Sequence, residues 1–364
     1  EASMTAEALF HIMENVDFAS MTYDGSFEDL FFVIERELAK RIGISVSGKL
    51  HTGRSRNDME HTMFRMVLKK KLIENLELHE SLVEKLIHKA GSNLEEIILL
   101  YTHGQPAQPS TLAHYLGAVI EVILRDMERI YSALQNVDLC PMGAAAITTS
   151  GFNVDRELMA ELLGFHDCVE NSYGAIAACD YITASYSAVK LSCINLGRFV
   201  QDLASWTGFE ISQLYVPDGF VQISSIMPQK RNPVPVEHMR LMYSLASGGA
   251  EQIIETMHNT PFADMNDSER ETQSNGHQVF DRMKRALMLL SGFVEAIEVD
   301  QSSVNKRIDA SLATITELAD SIVRNEKISF RQAHQIAHKI AQTSIEQQKS
   351  LQEFSFEEYC VFFK

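Results

Sequence analysis

Proline is scarce and confined. The chain has eight in 364 residues, all between positions 106 and 261. The flanks that lack it are rich in Leu, Glu, Lys and Met, a composition that favours long helices. Cysteine is as sparse: Cys140, Cys168, Cys179, Cys193 and Cys360 are scattered, odd in number and without metal-ligand spacing. That excludes a disulfide framework and predicts buried thiols in a reducing, cytoplasmic compartment. No apolar run reaches the roughly 18 residues that cross a membrane, and no secretory signal is visible. Basic residues fall short of acidic ones, 32 against 49, for a net charge of −17. Such a chain repels nucleic acid and anionic membranes, so neither is an expected partner. An anionic small molecule is not excluded, because a local cation outweighs global charge at a few ångströms. There is no glycine-rich phosphate loop and no redox-cofactor motif. His334 and His338 share a helical face without acidic or cysteine companions, which reads as a solvated face. No metal and no cofactor are expected.

What the chain does have is 45% hydrophobic residues, ample for a large core and for two or three domains. Leu68, Leu72, Leu76, Val83 and Ile87 keep to one face of a helix predicted over 59–90. Leu116, Val119, Ile120, Ile123, Met127, Ile130 and Leu134 do the same over 110–135, with Ser110 as its N-cap. Residues 175–209, 235–258 and 277–295 read as three more helices, the first rich in Ala and Ser that permit close helix approach. Only Val137–Leu139 and Phe220–Ile223 suggest strands. The fold class is all-α: an elongated bundle of long helices. Its middle helices are apolar around most of their circumference and need cover from other subunits.

The chemistry concentrates in residues 224–233, Ser-Ser-Ile-Met-Pro-Gln-Lys-Arg-Asn-Pro. Pro228 and Pro233 bracket this polar segment and oppose regular hydrogen bonding. Two hydroxyls, a lysine and an amide suit recognition of a carboxylate. Two other blocks stand out: Gly-Lys-Leu-His-Thr-Gly-Arg-Ser-Arg-Asn-Asp at 48–58 and Tyr-Thr-His-Gly-Gln-Pro-Ala-Gln-Pro at 101–109.

In this order the three blocks resemble the signature of the fumarase/aspartase superfamily. The Met-Pro-Gln-Lys form is most similar to the argininosuccinate lyase family; the loop and the Arg-Ser-Arg-Asn block fit adenylosuccinate lyases poorly. Weaker similarity runs from about residue 25 to about residue 340. The resemblance implies three mostly helical domains: 1–58, a central bundle 59–309 carrying loop 220–235, and 310–364. It implies a homotetramer with active sites shared between subunits, and further chain before Glu1 and after Lys364. The implied reaction is reversible β-elimination of argininosuccinate to arginine and fumarate. A base removes a weakly acidic proton, an aci-carboxylate forms, and an acid protonates the leaving nitrogen.

By resemblance Ser224 is the base, which requires backbone N–H groups and a cation, Lys230, to stabilise its alkoxide. Asn232 donates to a substrate carboxylate; Ser225 either helps or only shapes the loop. Thr102 contacts substrate. His103 transfers protons or positions water, oriented by Glu237. Ser55, Arg56 and Asn57 hold the fumarate-side carboxylates, while Arg54 could serve a structural ion pair. His51, His61 and His114 read as structural.

The chain departs from the family pattern at several points. Ile223 replaces the glycine before the serine pair, which stiffens the loop, and Cys179-Asp180 stands where the family has Arg-Asp. In residues 261–273, Asp264, Glu269 and Thr272 replace a Tyr, a Gln and a Lys that grip the arginine portion of the substrate in the family. Lost lysine and gained acid favour a cationic amine over a second α-carboxylate. One alternative is therefore the same lyase chemistry on another N-substituted aspartate. Another is a catalytically silent structural protein on this scaffold, against which the retained serine, lysine and asparagine argue.

Overall fold

The computed structural model describes residues 1–363. The elements begin with α1 (Ala2–Asn15), α2 (Leu30–Ile42), α3 (Ile44–Ser47), α4 (Arg56–Gly91), β1 (Ile97–Thr102), β2 (Gln105–Thr111) and α5 (Leu112–Val137). Next come β3 (Leu139–Cys140), α6 (Arg156–Leu162), β4 (Asp167–Cys168), α7 (Ser172–Ala177), α8 (Asp180–Thr207), β5 (Leu214–Tyr215), β6 (Gln222–Ile223) and β7 (Arg231–Asn232). The chain closes with α9 (Val234–Thr256), α10 (Arg270–Ala296), β8 (Glu298–Val299), α11 (Gln301–Ser311), α12 (Ile315–Glu326), α13 (Phe330–Gln347) and α14 (Phe356–Phe362). Two compact units emerge: one holds Glu1–Lys69, Val137–Cys179 and Asn259–Glu269; the other holds Lys70–Asn136, Asp180–His258 and everything from Arg270 on.

The second unit contains most of the long helices: α8 has 28 residues, α9 has 23 and α10 has 27. α9 packs against both α8 and α10. Their buried faces supply the core: Val189, Cys193, Leu196 and Val200; Met239, Tyr243 and Ala246; Val279, Met283, Leu287 and Leu290. Gly276 is required here by a close approach, since a Cβ would overlap the buried Tyr186 hydroxyl. In this unit α4 buries Leu72, Leu82 and Leu86 together with the polar Asn75 and His79, while Ile87 is exposed. The buried stripe thus differs from the purely apolar one expected, because His79 finds partners: its ring bonds Asn75 O and Ser192 Oγ, both at 2.7 Å. Burial pushes the His79 pKa down to about 4. Leu191, Ile194, Leu241, Leu245 and Met288 stay exposed on the same helices.

The first unit has three small apolar clusters, around Ala8, Ile12 and Leu38, around Cys140, Ala160 and Phe165, and around Ala144, Ala175 and Ile176. A short parallel pair, β3 with β4, closes it.

The all-α expectation is met, with four corrections. The helix expected over 175–209 is two, α7 and α8, broken at Ala178–Cys179. The cap of α5 is Thr111 and not Ser110: Thr111 Oγ1 accepts the His114 N–H at 3.1 Å, while Ser110 bonds the His114 ring. β1 and β2 form an antiparallel hairpin where no strand was expected. Its prolines, Pro106 and Pro109, hide the pattern, yet an edge strand tolerates them because its outward N–H groups need no partner. Finally, Cys140 and Cys193 are buried, but Cys168, Cys179 and Cys360 are only half-buried; all five are free.

Candidate active site

Residues 224–230 form the tip of a short hairpin. Gln222 pairs with Asn232 and Ile223 with Arg231, so the proline-bracketed segment is partly strand. The β-branched Ile223 fits that strand position. Within the tip, Ser224 Oγ accepts the N–H groups of Ile226 at 3.4 Å and Met227 at 3.1 Å. The Lys230 N–H returns to Met227 O at 3.0 Å. Ser224 is half-buried; Ser225 and Lys230 are exposed. The root is tied down by Arg231, which donates to Asp218 and, at 2.8 Å, to Val216 O, and lies 5.3 Å from the Tyr215 ring centroid. Those bonds to Asp218 raise the guanidinium pKa further. Beside the root, Lys230, Arg231 and Asn232 line a cleft of about 580 Å³ with Tyr215, Val216 and Asp300.

Thr102 and His103 sit at the turn of the β1–β2 hairpin, which Gln213 fixes by accepting the Leu99 N–H at 3.1 Å. Thr102 pairs directly with Gln105, leaving His103 and Gly104 as a two-residue turn with φ of 53° and 73°. Both central residues at positive φ make the tight turn that matches strand twist; glycine takes this freely and histidine tolerates it. His103 is held out, exposed, at the tip. Glu237 is exposed in the first turn of α9, which Pro233 and Pro235 open. Among the described residues, no hydrogen bond or ion pair joins His103 to Glu237 or to loop 224–230.

Ser55, Arg56 and Asn57 belong to the first unit, at the start of α4. Ser55 is pinned by Asp58, which is fully buried. Its carboxylate accepts the N–H groups of Ser55, Gly143 and Ala145, each at 2.9 Å. Sequence reasoning assigned Asp58 no role, because two of those partners lie more than 80 residues away. Arg56 donates to Asp29 at 2.5 Å and Glu28 at 3.2 Å and lies over Phe32. Asn57 Oδ1 accepts the Ser55 hydroxyl at 3.2 Å, and its amide N–H donates to Asp264. His61, on the next turn of α4, is 1% exposed and faces Asp264 at 3.6 Å. Burial lowers its pKa, the Asp264 charge opposing. Burial also pushes Arg54 down. Among the described residues, no three His, Cys, Asp or Glu side chains could together hold a metal ion.

Comparison with known proteins places these blocks. Residues 12–248 match a family model described as lyase, and 312–362 match the argininosuccinate lyase C-terminal model. Argininosuccinate lyase 2 of Agrobacterium fabrum is 52% identical over 344 residues, covering 94% of this chain and 68% of that protein. The chain belongs to the argininosuccinate lyase family.

This family lies in the fumarase/aspartase superfamily, and its members are carbon–nitrogen lyases. EDDS lyase, crystallised with formate, is 27% identical, with a TM-score of 0.86 over 98% of this chain and 70% of that one. Class II fumarase of Schistosoma mansoni, 16% identical over 91% of this chain and 76% of that one, shares the fold at a TM-score of 0.74. The chain spans about two-thirds of the length of such relatives. Of the three positions singled out in 261–273, Asp264 lies in the first unit beside Asn57. Thr272 is buried in the first turn of α10, and Glu269 immediately precedes that helix.

Proposed function

We propose that this protein cleaves the Cα–N bond of argininosuccinate by β-elimination, releasing fumarate and arginine without a cofactor. The observation that carries the reading is the pair of backbone N–H groups, from Ile226 and Met227, directed at Ser224 Oγ. A serine can act as a base only where its alkoxide is stabilised, and donors preset on the oxygen favour the charged form. The same bonds would shape an inert loop, so activity must decide between the two.

In this reading Ser224 takes the proton next to the carboxylate, and Lys230 and Asn232 stabilise the dianion that develops. Ser225 and Thr102 contact substrate; Ser55, Arg56 and Asn57 hold the remaining carboxylate. His103, on its hairpin tip, transfers the second proton or positions a water, with Glu237 as its orienting carboxylate. Pooling of these residues from several subunits of a homotetramer completes each site. Exposed Leu191, Ile194, Leu241, Leu245 and Met288 support such an assembly, since a helix face this apolar favours burial. The compartment is cytoplasmic, in keeping with five free cysteines. Among the described residues, no helix is long and apolar enough to cross a membrane.

A second reading rests on the resemblance. By it Asp264 and Thr272 stand where the family carries a tyrosine and a lysine, which favours release of an amine other than arginine. The test is fumarate formation, followed by ultraviolet absorbance, from argininosuccinate and in reverse from fumarate plus a panel of amines. Release from argininosuccinate supports the first reading. Reaction only with other amines supports the second, and silence in both directions would leave a structural protein.

A further inference from the structure

The hairpin that carries Ser224, Lys230 and Asn232 has few ties to the body of its unit. Ile223, Ile226 and Met227 are 76%, 84% and 38% exposed, so burial of these side chains does not orient it. Among the described residues, Arg231 makes the only side-chain hydrogen bonds between residues 222–232 and the rest of the chain. Its guanidinium reaches three groups at once: the Asp218 carboxylate, Val216 O at 2.8 Å and the Tyr215 hydroxyl at 3.4 Å. The planar fork of five N–H donors allows this, and the point charge of a lysine reproduces only part of it. The anchor is firm, because Leu214 and Val216 are buried and β5 pairs with β8 through Leu214 with Val299 and Tyr215 with Glu298. The other end of the link is as direct. Arg231 pairs with Ile223, the residue before Ser224, and lies between Lys230 and Asn232. All these residues belong to the second unit.

We propose that Arg231 is a positioning residue of the lyase reaction, and that its ties to Val216 and Asp218 fix the hairpin in the orientation in which Ser224, Lys230 and Asn232 act. This rests on the lyase reading above and adds a residue that takes no part in the proton transfers. The Asp218 side chain is 83% exposed, and an ion pair so open to water adds little to stability. Loss of the link should therefore spare the fold and appear in the rate. A hairpin free to sample other orientations reaches the reactive one less often, which lowers kcat more than it raises KM.

The test measures kcat, KM and melting temperature for the full-length enzyme and four variants: Arg231→Ala, Arg231→Lys, Asp218→Asn, and Arg231→Ala combined with Asp218→Asn. The substrate is argininosuccinate or whichever N-substituted aspartate the native enzyme cleaves. Arg231→Ala should lower kcat about tenfold, with KM within about twofold of native and melting unchanged. Arg231→Lys should return kcat to within about threefold of native, since an ammonium keeps one of the ties. Asp218→Asn should cost about threefold, and the double variant should be no slower than Arg231→Ala, because Asp218 acts through that guanidinium. A native kcat in Arg231→Ala, or a loss confined to KM, overturns the proposal while leaving the lyase reading intact. So do single-variant penalties that multiply in the double, or a rate loss matched by a lowered melting temperature. No fumarate from any substrate with native enzyme would remove the lyase reading, and this proposal with it.

Discussion

The corner at Ser55–Asp58 and the hairpin tip at 224–230, to which the proposed function assigns carboxylate binding, are built in opposite ways. At the corner Asp58, Arg56 and Asn57 already have partners: three backbone N–H groups, two carboxylates and Asp264 respectively. At the tip Ser224 is held only by its own loop, while Ser225, Ile226 and Lys230 are exposed. The corner's geometry is stored in long-range bonds, so it should be sensitive to any partner removed. The tip's geometry is local, so changes there should spare the fold and strike the chemistry. Under the proposed function, binding at the corner and catalysis at the tip should therefore fail differently.

The sharpest way to break the contrast is Asp58→Ala. It removes the acceptor of three backbone N–H groups, that of Gly143 buried and those of Ser55 and Ala145 part-buried, and should cost about 4 kcal/mol, roughly 3 for the buried bond and less for the two that water can reach. Urea denaturation should show it, and a loss under about 1 kcal/mol would mean the corner is not locked by this carboxylate.

Acid should probe the second unit instead. His79 titrates near 6.5 when unfolded and about 4 when folded. Between those values the unfolded chain binds a proton that the folded chain refuses. This contribution to stability is complete above pH 6.5, falls as pH drops, and is lost by about pH 4. A gap of about 2.5 units corresponds to about 3 kcal/mol. Denaturation across that range should therefore be steeper for the native chain than for His79→Gln.

Two smaller effects sharpen the picture. Arg231→Ala removes the hairpin root's ties to Asp218 and Val216 while leaving the reacting groups in place. It should lower kcat/KM about tenfold, near 1.4 kcal/mol, with an unchanged melting temperature. Gly104→Ala puts a Cβ at a φ of 73° in the His103 turn. It should cost about 1 kcal/mol in thermal stability; a stabilised variant would mean the turn is not held in this form.

Much of this was legible in the residues. The long helices follow from apolar periodicity and absent proline, and the three blocks pointed to their chemistry. The β1–β2 hairpin was not legible, because Pro106 and Pro109 read as loop although they occupy an edge strand. Nor were the partners of Asp58 and Asp264. Each meets groups distant in sequence, Gly143 and Ala145 in one case and Asn57 and His61 in the other. His61 was read as structural from sequence and is indeed buried, but what it faces could be known only from the fold. Local pattern reveals elements and loops; the pairing of charges across the chain is a property of the packed structure.

The most direct test is Ser224→Ala, measured for fumarate release under single-turnover conditions and for melting temperature. The account predicts a loss of about a thousandfold or more in rate, the scale of a proton-transfer group, with melting unchanged because the tip is held locally. A rate within about tenfold of native would contradict Ser224 as the base and return these N–H contacts to the role of shaping a loop.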